Sequence, residues 1–221
     1  VNRGRSISFV KTAWAVARMK SLVLLCLISC LGFLSGCATT PPSNPNNICD
    51  IFEDKPDWYK AAKKSENKWG STVPVMMSIM YQESQFVQKA RPARTKILWI
   101  FPGPRPSSAY GFAQVKSDTW DDYQRDEGGM WARRDNFKDA VDFIGWYNYQ
   151  SEKRSKIKRN DANNLYLAYH EGHGGFNKKT YNSKAWLKST AQKVATRAAD
   201  YTKQLRQCED DLDSSHWWWP F

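Results

Sequence analysis

Glu83 is a carboxylate set among oily residues. Met76, Ile79, Met80 and Glu83 follow the i, i+3, i+4, i+7 spacing of one buried helix face. Desolvation disfavours the charged form of such an acid. The negative end of the helix dipole acts the same way if the helix stops near Phe86, so the pKa is expected to rise. A carboxyl that keeps its proton near neutrality can act as a general acid. Two later segments offer groups to stand around it. In Ser107-Ser108-Ala109-Tyr110-Gly111-Phe112-Ala113-Gln114, a glycine between two aromatics permits a tight turn or close backbone approach, and Gln114 can bond a hydroxyl or an amide. Ala168-Tyr169-His170-Glu171-Gly172 closes an apolar helical stretch, with Gly172 expected to stop the helix and Tyr169 to present its hydroxyl beside the buried acid.

These three motifs, in this order, resemble those of the lytic transglycosylases, the SLT-domain family of the lysozyme-like superfamily. That family carries Glu-Ser-x-x-Phe with the catalytic acid, then Gly-Leu-Met-Gln, then Ala-Tyr-Asn-x-Gly. Glu83, Ser84 and Phe86 match the first in full. Gly111 and Gln114 match the ends of the second, with Phe112 and Ala113 between them. Ala168, Tyr169 and Gly172 match the third, with His170 where Asn is usual. The resemblance spans residues 73–176. It implies a mainly α, goose-type lysozyme-like fold with few or no short strands. It also implies cleavage of the β-1,4 bond between N-acetylmuramic acid and N-acetylglucosamine of peptidoglycan, leaving 1,6-anhydro ends. Glu83 is the expected catalytic residue. Ser84, Ser108, Tyr110, Gly111, Gln114, Tyr169, His170 and Glu171 are expected to bind substrate.

Two other chemistries compete. A water-using muramidase needs a second carboxylate, for which Glu171, Asp118, Asp121 and Asp122 are present. A wall-binding scaffold without catalysis would more readily have lost Glu83. His170-Glu171-Gly172-His173 sets its histidines three apart with a glycine between, not four apart on one helix face as in His-Glu-x-x-His metalloproteases, so no metal and no cofactor are expected.

The elements that must hold these motifs read as helices over 56–69, 73–86, 117–124, 137–153, 162–171 and 183–207. Residues 97–101 are β-prone but hemmed by Pro92, Pro102, Pro104 and Pro106, so a structured loop is expected there. Its Lys96, Trp99, Phe101 and Arg105 could line a glycan groove. The chain divides into a signal sequence over 1–37, a flexible, proline-rich tether over 38–56, a catalytic domain over 57–207 and an aromatic tail over 208–221 containing Trp217, Trp218 and Trp219.

The first segment carries Arg3, Arg5, Lys11, Arg18 and Lys20 with no acid, then an apolar run shorter than the ~20 residues of a spanning helix. It closes on Leu34-Ser35-Gly36-Cys37, which resembles a bacterial lipobox, so Cys37 is the expected lipidation site. Ala38 rather than Asp follows it, the pattern of lipoproteins sorted to the outer membrane, facing the periplasm of a Gram-negative cell. Cys49 and Cys208 remain as a disulfide pair that an oxidising compartment permits. The formal net charge is +11, of which the first segment holds +5. The remaining basic balance suits anionic cell-wall polymer better than nucleic acid, from which export would separate the protein. A monomer working on glycan strands, held to the membrane by its lipid, is the expected form.

Overall fold

A computed structural model describes residues 39–97 and 100–214. The signal sequence, Cys37, Leu98, Trp99 and the Trp217–Trp219 cluster lie outside the described residues. Among the described residues, seven α-helices and one two-residue ladder make a mainly α domain. The helices are α1 (Ile48–Asp54), α2 (Pro56–Trp69), α3 (Val73–Ser84), α4 (Ser117–Tyr123), α5 (Phe137–Ser155), α6 (Ala162–Asn177) and α7 (Ala185–Ser214). None of them is long and apolar enough to cross a membrane.

Local chemistry explains the ends. Pro56 opens α2, where its missing N–H costs nothing, and Gly70 closes it at φ 73°. Asn136 and Asp161 cap α5 and α6 by accepting from the backbone N–H of Asp139 and Asn164. Helix α3 stops at Ser84, two residues before the expected end, because Gln85 and Phe86 both take the left-handed conformation.

Helix α3 is the axis of the domain. It packs against α2, α5, α6 and α7, so Val73 to Met80 are buried on every side and not along one stripe. Each of those apolar side chains contributes roughly 1.5–3 kcal/mol of burial. An amphipathic reading of the spacing misses this, since a helix apolar all round is one surrounded by protein.

Three expectations at the borders are corrected. Residues 39–56 are not a free tether: Ile48, Ile51 and Phe52 of α1 are fully buried. The segment is fastened to α7 by Gln204, whose Oε1 accepts from Ile48 N–H at 3.0 Å and whose Nε2 donates to Asn46 O at 3.1 Å. The polar, proline-rich residues before α1 mask an i, i+3, i+4 apolar set that is enough to dock one short helix. Helix α7 runs on to Ser214, beyond the expected domain end at 207, held by Lys63–Glu209 at 2.5 Å and by Tyr59 donating to Asp213 at 2.6 Å. Residues 97–101 do not form a plain loop, because β1 (Lys96–Ile97) and β2 (Phe101–Pro102) pair antiparallel. Pro102 sits at the end of an edge strand, where a missing donor is tolerated.

Cys49 and Cys208 form a disulfide across 159 residues of sequence. In the chain-entropy picture a closed loop of that length stabilises by about 5 kcal/mol. The described residues form one compact unit, and the whole described core lies within it.

Candidate active site

The last turn of α3 delivers Glu83 to the floor of a cleft of about 430 Å³. Its carboxyl is surrounded by protein and reached from the cleft. Burial raises its pKa from the ordinary carboxylate value to about 7, opposed by a hydrogen bond from the Tyr166 hydroxyl. Tyr166 and Tyr169 are three apart on α6 and so share a face. The pKa of both is raised, first by burial and then by the charge of Glu83. Tyr169 lines the cleft with Glu83, as expected, and its hydroxyl donates to Ala113 O at 2.6 Å. That bond ties the third motif to the second, while the Tyr166 hydroxyl is the one that bonds Glu83.

The second motif is a clamped turn. Gly111 sits at φ 77°, and a Cβ there would lie 2.0 Å from the Arg134 carbonyl oxygen, so no other residue fits without moving backbone. Gly111 N–H donates to Ala90 O at 3.0 Å and Phe112 N–H to Arg134 O at 3.2 Å. The Arg134 guanidinium returns to Ser108 O and Val115 O. Gln114, itself at φ 46°, spends both amide hydrogens on Ala90 O and Gly111 O at 2.9 and 2.8 Å. Its Oε1 accepts no bond from the described residues. Phe112 and Phe86 both pack on Trp58, at ring-centre distances of 5.5 and 5.7 Å, and Trp58 stacks on Phe137 at 4.0 Å. Trp58 therefore joins the first motif to the second.

The third motif ends the cleft. Gly172 interrupts the helix as expected, at φ 72° and ψ 159°, a conformation essentially reserved to glycine, and after this kink a further helical stretch runs to Asn177. The kink carries Glu171 into an enclosed position, its side chain 4% exposed. There it accepts from Lys184 Nζ at 2.7 and 2.9 Å, from the Thr180 hydroxyl and from His170 Nδ1. These bonds, that of Lys184 foremost, lower its pKa to about 2. His173 turns away from the cleft: it stacks on Tyr147 at 4.6 Å with Nε2 2.9 Å from Ser151 Oγ, and burial lowers its pKa to about 4, so it is neutral near pH 7.

The cleft thus gathers Glu83, Gln114, Tyr169, His170 and Glu171. The other expected substrate groups stand behind it. Ser84 Oγ donates to Met80 O, Ser108 Oγ accepts from Ser117 N–H, Tyr110 donates to Asp135, and Gly111 supports the turn. Lys96, Phe101 and Arg105 are not part of the wall, nor are Asp118, Asp121 and Asp122. Glu83 and Glu171 are the acids lining the cleft among the described residues. Sequence reasoning missed Tyr166, Trp58, Lys116 and Thr119. A tyrosine interrupting an apolar helix one turn before Tyr169 was the available signal for the first.

A family model described as Transglycosylase SLT domain matches residues 25–208. Neither the curated proteins nor the solved structures contain a match to the chain. With the match running through all three motifs and most of the sequence, the chain belongs to the transglycosylase SLT domain family.

Proposed function

We propose that this protein is a peptidoglycan lytic transglycosylase in which Glu83 is both acid and base. The observation that carries the reading is the pairing of one poised carboxyl with one immobilised one. Glu83, with a pKa of about 7, can hold a proton and then lose it within one turnover. Glu171, the other acid on the wall, is occupied by a lysine, a threonine and a histidine, which leaves it poorly suited to activating water.

Protonated Glu83 gives its proton to the oxygen linking muramoyl C1 to the next sugar, and that bond breaks. The carboxylate left behind then takes the proton of the muramoyl C6 hydroxyl as its oxygen bonds to C1. The products are an alcohol end and a 1,6-anhydro end, with no water consumed. The Tyr166 hydroxyl supports the ionised form of Glu83 between the two steps. The Gln114 carbonyl oxygen accepts from a substrate hydroxyl or acetamido N–H. Ser84, Ser108, Tyr110 and Gly111 serve this reading by holding the turns, and Tyr169 by locking two motifs together. A lipid on Cys37 would hold the enzyme on the periplasmic face of the outer membrane, within reach of the wall and active as a monomer.

The test is digestion of purified sacculi followed by mass spectrometry of the released muropeptides. Anhydro-muramoyl products that vanish in Glu83→Gln are expected. Reducing ends would move the assignment to a water-using muramidase, and binding without cleavage to a scaffold.

A further inference from the structure

Trp186 is a large aromatic left 57% exposed in the first turn of α7. It stands edge-on to His170, ring centres 5.1 Å apart, and His170 is on the wall of the Glu83 cleft. The joint between α6 and α7 is built to hold this pair. Glu171 accepts from His170 on one side and from Lys184 on the other, and Lys184 directly precedes α7. Leu187, the next residue after Trp186, is fully buried and pins the turn. An ionised Glu171 can only accept, so the proton of His170 belongs on Nδ1. Nε2 is then left for a ligand on a side chain that is itself 36% exposed.

We propose that Trp186 and His170 form a saccharide-binding subsite at the α7 end of the cleft, the indole face packing on a pyranose ring and His170 Nε2 hydrogen-bonding one of its hydroxyls. An apolar face beside a fixed polar group is what a sugar ring requires, since its C–H face is apolar and its rim is polar. Glu171 is a positioning residue here. It fixes the imidazole and, through Lys184, the start of α7, but has no donor capacity of its own to offer the sugar. The subsite rests on the proposed glycan substrate and adds where a further sugar of the strand is gripped.

The test uses the full chain carrying Glu83→Gln, in detergent, titrated calorimetrically with the β-1,4-linked hexamer of N-acetylglucosamine. Trp186→Ala is expected to raise Kd at least tenfold, Trp186→Phe to stay within threefold of the parent, and His170→Ala to raise Kd about threefold. Trp186→Leu keeps apolar bulk without an aromatic face and is expected to behave like the alanine variant. The subsite is overturned if the parent does not bind the hexamer, if Trp186→Ala binds as the parent does, or if Trp186→Leu binds as well as Trp186→Phe. The catalytic reading fails separately: Trp186-dependent binding with no anhydro products from the wild-type chain would keep the subsite and remove the transglycosylase. Anhydro products with Trp186-independent binding would do the reverse.

Discussion

Glu83 and Glu171 line one cleft and are driven in opposite directions. Burial without a cation lifts Glu83 to about 7, whereas a lysine and two further donors take Glu171 to about 2. The two residues differ in neighbours, not in chemistry. Only the one deprived of a cation can exchange a proton near neutrality. A carboxylate count along the sequence cannot separate them; their surroundings can.

Four measurements would break or sharpen that contrast. The largest effect is expected on turnover. Glu83→Gln should slow muropeptide release by about 10³-fold or more, as removal of a group serving as both acid and base implies, while Glu171→Gln should retain activity within about tenfold. Equal losses in the two would erase the distinction and favour a two-carboxylate mechanism.

Thermal melts come next. Glu171 has a lowered folded pKa, so its contribution to stability is complete above the ordinary carboxylate value of 4.5 and is lost as pH falls towards 2. Glu171→Gln should therefore melt lower than the parent at pH 7, by about 5 °C for a domain of this size, and the gap should close near pH 2. His173, neutral in the fold down to about 4, erodes stability in both proteins as pH falls through the window from 6.5 to 4.

Glu83 should show the opposite sign. Its folded pKa is raised, so its contribution is fully present below about 4.5 and disappears as pH rises through 7. Glu83→Gln is thus expected to melt a few degrees above the parent at pH 8 and with it at pH 4. A variant less stable at both pH values would mean that the glutamate is held by contacts a neutral amide cannot make.

The smallest effect belongs to Tyr166→Phe. Its hydroxyl favours ionised Glu83, so removing it should move the alkaline limb of the activity profile to higher pH, with a few-fold change at the optimum. An unmoved limb would separate Tyr166 from the Glu83 carboxyl.

Much of this was legible in sequence, for identifiable reasons. Helices α2, α5 and α6 announce themselves through apolar spacing. Glu83 stood out because an acid on an oily helix needs a cause. What was not legible depended on contacts between distant residues. Whether Glu171 was an open base or a locked one turned on Lys184, thirteen residues away across a kink. Tyr166 could not be told from a packing tyrosine until α6 was placed beside α3. Residues 39–56 read as tether because their proline and asparagine outweighed three apolar residues whose partners lie on α7.

Trp58 has a bearing on how such a chain can vary over time. One indole is shared by Phe86 of the first motif and by Phe112, which stands where the family motif has leucine, with Phe137 stacked behind it. A change at any of the four alters the volume available to the other three. Drift at position 112 is therefore permitted only in step with its neighbours, and these positions should be inherited as a set.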